Sequence, residues 1–180
     1  MHPQPHEVVE FWRAAGAQRW FARDEAFDTE CATRFLAAHH AAARREFETW
    51  MEDPQGALAL LILLDQIPRN VFRGSAHAYA TDGLAREYAR RALEAGFDTQ
   101  VEPALRVFFY MPFEHSEDLA DQERALFLHR ALPGANADHW ARIHHDIIRR
   151  FGRFPHRNAA LGRTTTPEEQ AFLEGGGFKG

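Results

Sequence analysis

Apolar positions recur at intervals of three and four along most of the chain, and nowhere do they alternate with period two for long enough to make a strand. Val8, Val9, Phe11 and Trp12 mark a short amphipathic helix between His6 and Ala15, which Gly16 stops. Phe27, Cys31, Phe35 and Ala38 define the buried face of a helix over about residues 28–51, capped by Asp24 or Asp28, with Glu30, Arg34, Arg44 and Arg45 on its other side. Asp53-Pro54 is a helix start, a capping acid followed by a proline whose missing N–H costs nothing in the first turn. The stretch it opens, GALALLILLDQ, is apolar nearly all round and so predicts a central buried helix. Pro68 should end it, because proline excludes the preceding residue from helical geometry.

Ser75 then caps AHAYATDGLAREYARRALEAG, which Gly96 closes, and Glu102-Pro103 starts ALRVFFYM, broken at Pro112. Ser116 caps a helix reaching Leu132. Asp138 opens another, with Trp140, Ile143, Ile147, Ile148 and Phe151 as its apolar stripe. Thr166-Pro167-Glu168-Glu169 is a capping box, and the last short helix gives out at Gly175-Gly176-Gly177. These elements predict an all-α fold of antiparallel helix hairpins. Residues 1–180 are expected to form one domain with a Gly-rich tail at 175–180, and no helical-hairpin repeat of ~34 residues is evident.

Composition supports a packed core, with 45% apolar and 12% aromatic residues. A lone cysteine, Cys31, excludes an internal disulfide and fits a reducing compartment. No secretory signal opens the chain, and the longest apolar run, Ala57 to Leu64, is far below the ~20 residues of a bilayer span, so a soluble cytoplasmic protein is expected, with no membrane partner. Lys179 is the only lysine, a bias best assigned to coding preference.

Charge is segregated. Arg142 to Arg163 holds six arginines and one acid, Asp146, a balance of +5 in a chain of −5, which leaves −10 elsewhere. Within it Phe151 to Asn158 alternates apolar and polar residues, which predicts a loop packed down with its polar groups facing something specific.

Three helices are read as ending at prolines, each beside a polar cluster: Asp65-Gln66-Ile67-Pro68-Arg69-Asn70 with Arg73; Glu114-His115-Ser116-Glu117-Asp118 with Gln122; and Arg153-Phe154-Pro155-His156-Arg157-Asn158 with Arg163. They are expected to converge on one point. Asp65, Arg69, Asn70, Arg73, Arg153, Arg157 and Asn158 would bind a small anionic ligand through bidentate guanidiniums, while His115 and His156 exchange protons and Glu114, Glu117 and Asp65 orient them. The competing reading is structural, since arginine, aspartate and asparagine also tie down the orphaned carbonyls of helix ends.

LLDQIPRNVFRG, FFYMPFEHSEDLADQE and HHDIIRRFGRFPHRNAALGRTTTPEE, with Glu10 to Trp12, Arg19 to Phe21 and Phe27-Asp28 before them, resemble the signature blocks of an uncharacterised bacterial family, domain of unknown function 924. The resemblance covers essentially the whole chain and implies an all-helical fold similar to the tetratricopeptide-repeat class, with no established activity, substrate or cofactor. Phe11-Trp12-Arg13 departs from the Phe-Trp-Phe expected there.

Other chemistries are weaker. The candidate ligand sets, His115 with Asp118 and His144 and His145 with Asp146, contain no histidine pair at the helical spacing of four that makes a zinc helix, so no metal and no cofactor are expected. Ser116 lacks a Gly-x-Ser-x-Gly elbow and reads as a cap rather than a nucleophile. Arg149 to Phe154 mixes basic and aromatic residues as single-strand binders do, but the −10 elsewhere argues against nucleic acid. Two functions remain: a pocket for a small anionic ligand, with catalysis open, or a helical scaffold that binds a peptide or protein partner. A concave polar pocket favours the first; an apolar groove with the polar clusters buried favours the second.

Overall fold

The computed structural model describes residues 2–180 and is all-helical, with no strand among the described residues. The helices are α1 (Pro5–Ala15), α2 (Ala17–Trp20), α3 (Glu25–Ala43), α4 (Pro54–Leu61), α5 (Ile67–Val71), α6 (Asp82–Glu94), α7 (Val107–Glu114), α8 (Leu119–Arg130), α9 (His139–Phe151) and α10 (Pro167–Glu174), joined by turns and short 3₁₀ segments. None is long and apolar enough to cross a membrane. Contacts group the described residues into two compact units, one formed by residues 2–73 and 77–112 and the other by residues 74–76 and 113–180.

In the first unit α4 is the buried centre, with every residue from Gly56 to Leu61 inside, packed against α1 and α6. Gly56 is required there, because a Cβ would lie 2.1 Å from the Trp50 carbonyl oxygen. Asp53 caps the helix, accepting from the Gln55 and Gly56 N–H groups. Trp12, fully buried, packs on Phe27 and Phe108, and its carbonyl accepts from Trp20 Nε1 at 2.6 Å. Arg13 faces outward and pairs with Glu10 and Glu102, so the departure from Phe-Trp-Phe is accommodated at the surface.

Pro68 does not end the central helix. One π-helical turn, Ile62–Gln66, follows α4, with the Ile67 N–H donating to the Ile62 carbonyl five residues back, and the chain continues into α5 with Pro68 inside it. A proline normally clashes with the carbonyl four residues earlier, here Leu64. The wide turn frees that carbonyl to accept from Thr81 Oγ1 at 2.5 Å, while His39 Nδ1 donates to the Leu63 carbonyl and Arg69 Nη1 to that of Asp65. Pro112 likewise sits inside α7, a helix of eight residues that gives up little internal hydrogen bonding to it.

Other boundaries shift for local reasons. Asp24 caps α3, which stops at Ala43, short of residue 51, where Arg45 takes a left-handed φ of 61°. The stretch after Ser75 begins as a 3₁₀ turn, and α6 starts only at Asp82. A 3₁₀ turn, Pro103–Leu105, also precedes α7. Asp118, rather than Ser116, caps α8 by accepting from Ala120 and Asp121 N–H; Ser116 Oγ accepts from Asp118 N–H and donates to Asp121.

In the second unit α8 packs on α9. Ile147, Ile148 and Phe154 form a core flanked by Ile143, Phe151, Phe172 and Phe178. Gly152, at φ 69°, closes α9 and turns the chain into the loop of residues 153–163. That loop is packed down: Phe154, Pro155, Arg157 and Asn158 are buried. The capping box at Thr166 and Glu169 forms as its spacing predicts.

Candidate functional site

The first polar cluster lies in the first unit and is occupied by its own carboxylates. Arg69 donates both terminal nitrogens to Asp82, at 2.9 and 3.0 Å, and lies 3.2 Å from Asp65. Burial opposes the Arg69 charge, and the two aspartates more than offset it, so the guanidinium is held firmly protonated. Asp65, buried itself, also accepts from Gln66 Nε2. Arg73 reaches Asp28 through Nε at 2.6 Å and Nη2 at 3.0 Å, and Asn70 Nδ2 donates to the same carboxylate. Cys31 is buried nearby, and burial pushes its thiol up to about 12, which removes it from nucleophilic chemistry.

The second and third clusters meet in the second unit. Glu117 accepts from both terminal nitrogens of Arg163, at 2.7 and 3.0 Å, and from the Phe154 N–H at 2.8 Å, tying the start of α8 to the loop after α9. Arg153 forms a fork with Glu169, at 2.6 and 2.8 Å, and Asn158 Nδ2 donates to that carboxylate. The Arg153 hydrogen bond holds Glu169 down at about 2. Gln122, fully buried, donates to the carbonyls of Glu114 and Ser116 and holds the turn between α7 and α8.

What remains is a histidine cluster around one buried carboxylate. His129 Nδ1 lies 2.8 Å from the Ala125 carbonyl, which can only accept, so Nδ1 carries a proton; its Nε2 faces Glu114 Oε2 at 2.9 Å. One further proton is therefore shared between this nitrogen and the carboxylate. His144 Nδ1 is fixed the same way by the Trp140 carbonyl at 2.8 Å and lies 3.3 Å from Glu114 Oε1, which leaves Nε2 as the acceptor nitrogen of its neutral ring. Burial pushes the Glu114 carboxyl up, but the His129 hydrogen bond and the electrostatic pull of the histidines around it outweigh that and bring it to about 2. Burial likewise opposes charge on His129, yet Glu114 raises its pKa. His144, chiefly through burial, is lowered. His156 is lowered to about 3 by burial, reinforced by Arg157. The cluster thus combines an acid held ionised, a histidine whose protonated form that acid favours, and two histidines whose neutral form burial favours.

Phe154 is its floor. His144 and His156 pack on that ring at centroid distances of 5.4 and 5.6 Å, and the Arg157 guanidinium carbon lies 4.4 Å above it. His115 is 6.3 Å from His144. Buried polar atoms without a hydrogen-bond partner include His156 Nδ1, Asn158 Oδ1, Gln122 Oε1 and Arg163 Nε, all in this unit. No group of three or more His, Cys, Asp and Glu among the described residues is placed to hold a metal ion.

His115, His156, Glu114 and Arg157 all lie in or beside this cluster, while Glu117, Arg153 and Asn158 serve the loop around it. Asp65, Arg69, Asn70 and Arg73 belong to the other unit's network. Sequence reasoning missed His129. It follows Gln122 and Ala125 at spacings of three and four on the buried face of α8, which was the available signal.

An all-helical protein with a buried glutamate clasped by histidines is the class that the fold and site define. The chain belongs to the bacterial proteins of unknown function called DUF924, whose family pattern matches residues 8–177. It is similar to the solved structure of a protein of unknown function from Agrobacterium tumefaciens, at 53% identity and a TM-score of 0.92, with 95% of this chain and 97% of that one covered. Comparison with curated proteins gives no match.

Proposed function

We propose that the histidine cluster of the second unit binds a small anionic ligand, in a protein that works in the cytoplasm. The observation that carries this is the convergence of His144, His156 and Arg157 on the Phe154 ring beside Glu114, with His156 Nδ1 buried and unpartnered. A buried polar atom left unpaired costs roughly 1–3 kcal/mol and is uncommon in native proteins outside sites of use. Arg157 supplies the charge that attracts the anion, and the two neutral rings add hydrogen-bonding nitrogens without competing positive charge. Glu114, within reach of both His129 and His144, offers a path for a proton between them, so proton transfer to a bound ligand is chemically available.

The scaffold reading keeps a specific observation of its own. Arg69, Arg73, Arg153 and Arg163 are already forked onto carboxylates, and a groove in the second unit is lined mostly by apolar side chains. On that reading the polar networks hold helices together and the groove receives a partner.

Arg157→Lys separates the two. It keeps the charge and loses the planar fork, so ligand binding should weaken while the fold survives. Urea midpoints of wild type and variant are compared with and without phosphate, sulfate and simple carboxylates. A bound anion at 100 times its dissociation constant adds about 2.7 kcal/mol to the wild type, and most of that should vanish in the variant. A large loss of stability without ligand, together with no stabilisation of wild type by any anion, makes Arg157 structural and transfers the function to the scaffold.

A further inference from the structure

The histidine cluster is roofed by the chain's own Gly-rich tail. After α10 the chain turns back through Gly175, Gly176 and Gly177, with Gly176 at a left-handed φ of 86° and the Gly177 N–H donating to the Phe172 carbonyl at 2.9 Å. That close return needs glycine, because a Cβ on Gly177 would lie 2.5 Å from the same carbonyl oxygen. The turn delivers Phe178 onto both neutral rings, 4.6 Å from His144 and 5.2 Å from His156 between centroids. Gly180 finishes the cover, its backbone so close that a Cβ would meet His156 Cδ2 at 2.9 Å.

Phe178 has a second neighbourhood. It lines the open groove of about 540 Å³ together with Trp140, Ile143, Ile147, Phe151 and Phe172 and with the charged Asp146 and Arg150, a volume within the ~300–1,000 Å³ of small-ligand sites. The Phe178 ring therefore touches both the mostly apolar groove and the histidine cluster. An aromatic ring resting on two histidines, with a third nitrogen-bearing side chain on the common Phe154 floor, outlines the shape of what the site accepts when that ring leaves.

We propose that Phe178 is a displaceable stand-in for the ligand's own ring, and that the ligand is a small aryl compound bearing an anionic group. Its ring takes the place of Phe178 between His144 and His156 and extends toward the mostly apolar groove, and its phosphate, sulfonate or carboxylate reaches Arg157. This rests on the anion-binding reading above and narrows it. A simple anion fills the charged part alone and leaves Phe178 in place, whereas an aryl anion must compete with it. The tail thus sets a threshold against ligands that lack a ring to replace the one they displace.

The test uses phenyl phosphate and inorganic phosphate as probes, titrated calorimetrically into wild type, Phe178→Ala and Gly177→Ala. The first variant removes the ring; the second keeps it and unseats the turn that delivers it. Far-UV circular dichroism checks that all three remain helical. Phenyl phosphate should bind both variants about tenfold more tightly than wild type, because it no longer displaces a packed ring, and the preference for phenyl phosphate over phosphate should widen by a similar factor in Phe178→Ala. Quenching of Trp140, which lies 6.1 Å from the Phe178 ring, should follow phenyl phosphate and not phosphate. If both probes bind and the preference is the same in all three proteins, the stand-in role is overturned and the anion site survives. If neither probe binds any of the three, the anion site falls and takes this inference with it.

Discussion

Replacing Glu114 by glutamine tests the centre of the site most directly. The carboxylate is buried, accepts from His129 Nε2 at 2.9 Å and lies 3.3 Å from His144 Nδ1. Glutamine preserves the shape and one acceptor oxygen but leaves His129 without the charge that keeps it protonated. Removing the charge of one partner from a buried ion pair costs about 3–5 kcal/mol. Because the amide still offers an acceptor, a loss of about 2–3 kcal/mol is expected, a fall in urea midpoint of about 1–1.5 M for a slope near 2 kcal/mol/M. The sign with pH follows from both partners. Glu114, lowered by folding, contributes fully above its unfolded value of 4.5, and that contribution is lost as pH falls through about 2. His129, raised by folding, contributes fully below 6.5, and its share is lost as pH rises through its folded value. The gap between wild type and variant should therefore be widest between pH 4.5 and 6.5 and close on either side. Urea unfolding across that range, followed through Trp140, the one tryptophan of the second unit, measures the gap where it matters. A gap below ~0.5 kcal/mol near pH 5.5, or one that does not change with pH, would refute the shared-proton account.

In the first unit, Arg69→Lys should cost about 1–3 kcal/mol, since a lysine cannot fork onto Asp82 while also reaching the Asp65 carbonyl, and phosphate should not restore it; thermal melts with and without phosphate check both points. A chelator should leave the melting temperature of the purified protein unchanged, and elemental analysis giving one zinc or iron per chain would contradict that outcome. Acidification below pH 6.5 should destabilise the second unit through His144 and His156, whose lowered pKa values mean that the unfolded chain binds protons the fold excludes; His156→Phe, which keeps the ring packing, should soften that acid limb.

Helix identity and several caps were legible because they are local. Asp53 and its proline, and Thr166 with Glu169, meet their partners within three residues, so spacing alone finds them. The continuation of the central helix through Pro68 was not legible, because it depends on Thr81 and His39, 17 and 24 residues from the carbonyls they take. The arginines show the same limit. Charge and clustering marked Arg73 and Arg153 as anion grips, but the anions they hold are Asp28 and Glu169, 45 and 16 residues away, and no spacing rule reaches that far. The histidine cluster was half visible: Glu114, His115 and His156 stand out beside their prolines, whereas His129 sits mid-helix and shows only by its place on a buried face.

The π-helical turn at Ile62–Gln66 also acts as a phase shift written into the chain. One residue more than a regular turn would hold rotates everything after it by about 100° around the helix axis. Asp65 and Arg69 point where they do because of that extra residue, and Arg69 reaches Asp82 only from that angle. A deletion of one residue inside the turn would heal the backbone ladder and improve the helix as a helix. It would also swing α5 out of register, carrying Asn70 and Arg73 away from Asp28, and put the Pro68 ring back against the carbonyl it now avoids. Local regularity and the fold are opposed at this point, and the insertion is the compromise that lets one continuous rod present two differently aimed faces.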